Sequence, residues 1–398
     1  MKIGILIPSI YMRDSLASLR VSSTVKLSLA VALSNQLTDL GHEVYVFGPK
    51  DIRTKATVVS SDEALLFENF TIDEQQDISP EAFEKVSLYE RKKLYEIGLT
   101  SFAYDFAEKN NIDIMHHFHS LGYLSHYFTR AYSIPTVFTI HNPPPSAKTL
   151  THYEYEKFCD HRFITISQSH KSEYLSKYPQ MNIADVIYHG VDLSNIPFSE
   201  SSDNYLAFIG RATEDKGLDI AIELSIYMKK ELQVASWMSD IVLHSDYYVS
   251  KIKPHLHSKY ITLKGLIPPD EKDNFYKNAK GFIFPLRWSE PFGMVLLESM
   301  STGTPVIAYA NGSIPEIVKD GETGFLVNMD ETHTTGDWIV KKKGHEGLME
   351  AISLLYSLSP EKYAQMRQNS RKHVENNFTE EIMVQNHLKL YQRIIKKS

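Results

Sequence analysis

Two carboxylates stand eight positions apart in the run EPFGMVLLE, Glu290 and Glu298. The apolar run Phe282 to Leu286 precedes them and reads as a buried strand. The stretch Gly303 to Ala310 follows, a Gly-Thr-Pro stop and then another apolar strand. The two glutamates therefore bracket the start of a helix that leaves the C-terminal end of a strand. In open α/β sheets ligands bind at that end. The free N–H groups and the dipole of a helix start attract phosphate there. Pro291 suits the first helical turn, and Gly293 lets a ligand approach the backbone of Phe292, Met294 and Val295 closely. On a helix, eight residues put the carboxylates on the order of 12 Å apart, too far to share one bond-breaking centre. They suit the two ends of a long ligand such as a nucleotide-sugar, one at the sugar hydroxyls and one at the ribose. A capped surface helix with two solvated glutamates is the bland alternative, and the flanking strand and turn signals argue against it.

The segment FIGRATEDKG carries the next weight of chemistry. Its strand ends at Gly210, and Arg211 and Lys216 stand five apart in the loop before the helical run LDIAIELSIYM. Two cations at a strand's C-terminal end suit a diphosphate, the arginine as a fork and the lysine as a point charge. A solvated turn lysine is the alternative for Lys216. His141 ends the strand TVFTIH, ahead of Asn142 and three prolines, and is placed to project from the end of a sheet. His119 and Tyr123 lie in the loop after another strand, where acceptor contacts are expected. In His116-His117-Phe118-His119, His117 and His119 would share one face of a strand but lack a third ligand for zinc. There is no Asp-x-Asp at a strand end.

This chain resembles the retaining GT-B glycosyltransferases, the large family that contains glycogen and sucrose synthases and many bacterial lipopolysaccharide and glycolipid transferases. EPFGMVLLE fits the family's E-x7-E hallmark. The resemblance continues through GSIPEIVKDGETGFLV (Gly312 to Val327), FIGRATEDKGLDIAI (Phe208 to Ile222), HGVD (His189 to Asp192) and LTDLGHEVYVFGP (Leu37 to Pro49). It implies two Rossmann-like domains facing across a cleft, with the last helix, about Thr379 to Lys397, crossing back onto the first domain. It also implies that Arg211 and Lys216 neutralise a leaving nucleoside diphosphate, that Glu290 holds the transferred sugar and Glu298 the ribose, and that His141 contacts that sugar. The expected activity is a hexosyltransferase, retaining and metal-independent. It would need no cofactor beyond a UDP- or GDP-sugar donor and would act on a hydroxyl acceptor on a saccharide, glycolipid or small molecule. A nucleotide-sugar epimerase and a non-catalytic nucleotide-sugar-binding partner are the rival readings.

Three departures from the family pattern stand out. Ser22-Ser23-Thr24 replaces a Gly-Gly pair in the first loop. His189 replaces the asparagine of Asn-Gly-Val-Asp. His244-Ser245-Asp246 follows an expected strand IVL where a Gly-rich turn is usual. The nucleobase is therefore expected against Gly265, Leu266 and Ile267, inside Leu263 to Pro268.

The chain has 398 residues and a net charge of −7, room for two full cores and no sign of a nucleic-acid partner. The parts before and after Ile196 carry net charges of −5 and −2, so neither is basic enough to dock strongly on anionic lipid. A single cysteine, Cys159, excludes an internal disulfide and fits a reducing compartment. The apolar run Ile3 to Ile7 is too short for a signal peptide or a membrane span, and a cytoplasmic protein is expected. The organisation expected is residues 1–193 as the first Rossmann-like domain, 194–204 as linker, 205–378 as the nucleotide-sugar domain and 379–398 as the returning helix. Residues 57–77 read as irregular, and 330–347 as an insertion loop.

Overall fold

A computed structural model describes residues 1–7, 20–61, 80–118 and 123–396. The chain forms two compact units. Unit 1 contains Met1–Ile166, Lys171–Ile187 and Met383–Ser398, and unit 2 contains Ser167–His170 and Tyr188–Ile382.

In unit 1 the order is β1 (Lys2–Leu6), α1 (Arg20–Asp39), β2 (Glu43–Phe47), β3 (Thr57–Val59), α2 (Pro80–Lys109), β4 (Ile114–His117), α3 (Tyr123–Ala131), β5 (Thr136–Thr139), α4 (Leu150–Lys157), β6 (Arg162–Thr165), α5 (Gln168–Lys177) and β7 (Ile183–Val186). The strands form one sheet in the order β3-β2-β1-β4-β5-β6-β7, every pairing parallel. Short, unbroken apolar runs make such strands because both faces are covered by helices. Ile3, Ile5, Val46, Ile114 and Val137 are fully buried, as that rule requires.

Unit 2 repeats the plan with β8 (Tyr205–Ile209), α6 (Leu218–Tyr227), β9 (Glu231–Ala235), α7 (Asp240–Leu243), β10 (Ile261–Gly265), α8 (Pro269–Asn278), β11 (Gly281–Phe284), α9 (Met294–Ser301), β12 (Val306–Tyr309), α10 (Ile314–Ile317), β13 (Gly324–Val327), α11 (Gly344–Ser357) and α12 (Pro360–Asn377). Its parallel sheet runs β10-β9-β8-β11-β12-β13. In each sheet the strand order reverses once, between β1 and β4 and between β8 and β11. That reversal opens a crevice at the strands' C-terminal ends. The last helix, α13 (Glu380–Ile395), has its residues from Met383 onward in unit 1. There the Tyr391 hydroxyl meets His116 Nδ1 at 2.6 Å and Arg393 pairs with Asp185 at 2.8 Å.

The segment before β8 is strapped along α12. Arg367 is fully buried and donates to the carbonyls of Ser199, Lys277 and Ala279 at 2.6 to 3.0 Å. Arg371 reaches the carbonyls of Leu193 and Ile196. A buried guanidinium is tolerated when its donors are satisfied this fully.

Several expectations need correction. The run SDIVLHS is the short helix α7, capped by Ser239 Oγ accepting from Val242 N–H, and the strand is the preceding ELQVA. Pairing with β8 and β10 decided that, over an apolar triplet whose Ile241 is exposed. The turn after that strand is therefore Ser236 to Met238, and His244-Ser245-Asp246 lies after α7. Residues 57–59, read as irregular, form β3. Ser22-Ser23-Thr24 lie inside α1, which starts at Arg20, and not in a loop. The helix expected from Pro291 starts three residues later, at Met294.

Candidate active site

Unit 2 gathers the chemistry at the two strands that flank its order reversal. The loop after β8 turns through one 3-10 turn, Glu214–Lys216, and ends at Gly217 with φ +71°. A Cβ added there would lie 2.1 Å from the Pro285 carbonyl oxygen. Only glycine allows the loop to seat on the chain leaving β11. Arg287 then fastens the seat. Its guanidinium donates to both carboxylate oxygens of Asp219 at 2.8 and 2.7 Å and to the Glu214 carbonyl at 2.7 Å. Its own N–H donates to the Asp215 carbonyl at 2.9 Å. The Tyr247 hydroxyl donates to Asp219 Oδ1 at 2.9 Å. Burial pushes the Asp219 carboxyl up, but the bonds from Arg287 and Tyr247 outweigh it and hold its pKa below the usual range.

That seat aims Lys216 at the EPFG turn. Its ammonium lies 3.3 Å from Glu290 Oε2 and 4.8 Å from the centre of the Trp288 ring. Both side chains of the pair are largely withdrawn from solvent, 15% and 16% exposed. Arg211 sits differently. It is 59% exposed and only loosely tethered, 3.8 Å from Asp215.

The EPFG backbone is held from three sides. Ser313 N–H donates to the Glu290 carbonyl at 3.0 Å and its hydroxyl to the Phe292 carbonyl at 2.8 Å. The Ser167 hydroxyl donates to the Pro291 carbonyl at 2.7 Å. Gly312 has φ +57°, and a Cβ there would stand 2.6 Å from both the N and O of Glu290. Phe292 is 2% exposed, packed on Tyr188, His189 and Phe378, so its side chain is an anchor. Gly293 takes φ +86° as the N-cap of α9, and no side chain caps the helix. The first N–H groups, at Met294 and Val295, thus have no side-chain acceptor.

Only four of the eight steps from Glu290 to Glu298 are helical, so the helical estimate of their separation does not hold. Glu298 lies about one turn into α9, not two. It is paired with Lys272 at 2.7 Å, and the Tyr276 hydroxyl donates to it at 3.4 Å. Each glutamate therefore has its own lysine. Gly265 ends β10 with φ +70°, its carbonyl accepting from Ser236 N–H at 3.0 Å, and Leu266 beside it is 66% exposed. Ile267 follows, half-buried.

In unit 1, His141 stands just beyond β5, buried, with its ring 4.9 Å from Phe118. His119 lies outside the described residues, as does the Tyr123 side chain. His116 and His117 are buried. His116 bonds Tyr391 and Thr139, and His117 bonds the Tyr104 hydroxyl at 3.0 Å. Among the described residues no group of three or more His, Cys, Asp or Glu side chains is placed to hold a metal ion. Among the same residues no helix is long and apolar enough to cross a membrane.

Sequence reasoning missed Arg287, Asp219, Tyr247, Trp288 and Lys272. Arg287 and Trp288 were in plain sight, between the strand and Glu290. Asp219 follows Gly217 by two, where only its pairing distinguishes it from a helix-start acid.

The geometry is that of a doubly wound parallel α/β unit, and comparison with known proteins gives the family. The family model Glycosyl transferases group 1 matches residues 193–373, and Glycosyltransferase Family 4 matches residues 28–195. The putative glycosyltransferase YtcC of Bacillus subtilis is 24% identical over 299 residues, 68% of this chain and 70% of that protein. Among solved structures, sucrose-phosphate synthase from Thermosynechococcus elongatus superposes with a TM-score of 0.71 at 18% identity over 100% of both chains. HepE of Anabaena, in complex with UDP and glucose, superposes at 0.66 and 15% identity, over 99% of this chain and 100% of that one. The chain belongs to the group 1 glycosyltransferases of GT-B fold and is a glycosyltransferase.

Proposed function

We propose that this glycosyltransferase moves a hexose-type sugar from a UDP- or GDP-linked donor to an acceptor hydroxyl, with retention of configuration and without a metal ion. The observation that carries the reading is the Lys216–Glu290 pair, 3.3 Å apart at the C-terminal ends of adjacent strands. One cation and one sugar-binding carboxylate stand together there, next to an uncapped helix start.

In this reading Lys216 and Arg211 take the charge of the diphosphate, joined by the N–H groups of Gly293, Met294 and Val295. Without donor, Lys216 and Glu290 satisfy one another. An entering diphosphate draws the ammonium and leaves Glu290 to accept from the sugar hydroxyls. Glu298 accepts from the ribose, sharing it with Lys272. Leu266 and Ile267, with Gly265 between strand and wall, flank the base. His141 is assigned to the transferred sugar. The anomeric C–O bond to phosphate breaks as the acceptor oxygen bonds to the same face. The acceptor proton passes to the leaving phosphate oxygen, so the nucleoside diphosphate departs with its charge on Lys216 and Arg211. HepE, solved with UDP, is a fold relative whose ligand agrees with such a donor.

The test is a panel of nucleotide-sugars with and without EDTA, with the product anomer read by NMR. Release of nucleoside diphosphate, an unchanged rate in EDTA and a product of the donor's own anomeric configuration are expected. An inverted product, a rate restored only by magnesium or manganese, or an epimerised donor would each overturn the assignment.

A further inference from the structure

We propose that unit 1 carries an anion subsite built on Lys26, with Asn142 and His141 beside it, and that it takes the phosphate group of a phosphorylated acceptor. This rests on the transferase reading above. It adds what that reading leaves open, the chemical class of the acceptor.

Lys26 lies on α1, the helix that follows β1, and Asn142 lies just past β5. In the sheet β1 neighbours β4 and β4 neighbours β5, and the strand order reverses between β1 and β4. Lys26 and Asn142 therefore meet at the crevice where a doubly wound sheet binds its ligand. They touch there, with Lys26 Nζ donating to Asn142 Oδ1 at 3.0 Å. His141 adjoins Asn142 in the chain and is buried.

The partner set of Lys26 is what marks it. The lysine is half-buried, and among the described residues Asn142 is its one polar contact, a neutral amide. The half-buried lysines of unit 2's site each face a carboxylate, Lys216 to Glu290 and Lys272 to Glu298. A withdrawn ammonium is ordinarily paired, because desolvation disfavours the charged form. At Lys26 burial pulls the amine down to about 8, and among the described residues no opposite charge offsets it. An anion set against Lys26 would restore what burial takes away. A phosphate monoester fits better than a carboxylate. It has oxygens for Lys26 and for an Asn142 amide that turns its N–H donors outward, while His141 stays with the transferred sugar, and it carries more charge at neutral pH.

Two measurements on the full-length protein test this. In the first, lysines are dimethylated with a 13C label and the Lys26 resonance, assigned with Lys26→Arg, is titrated with inorganic phosphate. The amine's titration point should rise on phosphate and stay put with chloride of equal ionic strength. An unmoved titration overturns the subsite, whether or not the enzyme cleaves donors. The second compares polyols and hexoses with their own monophosphates as acceptors. The wild type should prefer the monophosphates, and Lys26→Met should cut that preference in kcat/KM by about tenfold or more, as loss of a charge-assisted contact implies. Lys26→Arg should recover part of it. If phosphate moves the titration but Lys26→Met leaves the preference intact, the site takes free phosphate only and the acceptor claim falls. If the titration moves while no nucleotide-sugar is cleaved, the subsite stands and the transferase reading fails instead.

Discussion

The two sheets share one strand order and differ in what stands at its reversal. In unit 2 the loops after β8 and β11 are lashed to one another by Gly217, Arg287 and Asp219. The charged groups there come in pairs, Lys216 with Glu290 and Lys272 with Glu298. In unit 1 the corresponding cation, Lys26, has a neutral partner, and the buried titratable groups include the imidazoles of His116, His117, His126, His161 and His387. Unit 2 is therefore preorganised before any ligand arrives, which is what stabilising a transition state requires. Lys26, by contrast, faces no carboxylate among the described residues.

Acid should separate the units most. In unit 1 burial holds His117 down to about 3 and His161 and His387 to about 4, and pulls His116 and His126 well below the usual value. These rings are neutral when folded, while in the unfolded chain they bind protons below about 6.5. Their contribution is complete above that pH and is lost as pH falls toward 4, on the order of 3 kcal/mol for each fully buried ring. Glu154, whose buried carboxyl is pushed up to about 7, works the other way over the same range. Five histidines against one glutamate leave unit 1 acid-labile. All three tryptophans, Trp237, Trp288 and Trp338, lie in unit 2. On acidification from pH 6.5 to 4, far-UV circular dichroism should therefore fall before tryptophan fluorescence changes. Coincident transitions would remove the contrast.

Within unit 2, Lys216→Ala should lower transfer by about 10²–10³-fold, the usual cost of removing a donor aimed at developing charge. Glu290→Gln should act mainly on kcat, because sugar positioning matters most in the transition state. Unchanged kcat in both variants would mean that the pair is structural.

Arg287→Met should leave the buried Asp219 without its cation and destabilise unit 2 by about 2–3 kcal/mol. Nucleoside-diphosphate affinity should fall with it, since the loop bearing Lys216 loses its seat. Replacing both partners, Arg287→Met with Asp219→Leu, should recover stability but not affinity. Urea unfolding followed by fluorescence, with calorimetry on the nucleotide, reads the two effects apart. Recovery of both together would show that the clamp has no part in aiming Lys216.

Much of this was legible in the sequence because parallel strands are short apolar runs and their C-terminal loops are rich in glycine and charge. The twofold repeat, the EPFG turn and the RATEDKG loop all follow from that. The failures have equally local causes. Ile241-Val242-Leu243 has a strand's composition, and only Ser239 as N-cap and the pairing of ELQVA between β8 and β10 make it a helix. Thr57–Val59 is too short and polar to signal a strand until Tyr45, Val46 and Phe47 pair with it. Pro291 is a good first helical residue, but the carbonyls of Pro291 and Phe292 are taken by Ser167 and Ser313, and the helix waits for Gly293. Arg287 could not be ranked above any other loop arginine, because its partner Asp219 is 68 positions away.

The smallest expected effect concerns Glu298, and it tests whether the two glutamates of the motif do different work. Both are paired with a lysine, but the settings differ. Lys216 comes from the loop that also carries Arg211, so in the proposed reading an entering diphosphate would compete directly for it. Lys272 comes from α8, a helix with no other assigned ligand contact, and it bonds Glu298 at 2.7 Å, closer than the 3.3 Å of the other pair. In the proposed reading nothing in the reaction would draw Lys272 away, and the ribose it would help to hold is alike in the ground and transition states. Glu298→Gln keeps the shape and one acceptor oxygen while losing the charge. Its cost should be about 1 kcal/mol, as for one hydrogen bond weakened but not removed. That predicts a several-fold rise in nucleotide Kd and donor KM with kcat nearly unchanged, against the kcat-dominated loss in Glu290→Gln. The same kcat loss in both variants would show that the two carboxylates act as one unit, and the division of labour between sugar and ribose would have to be abandoned.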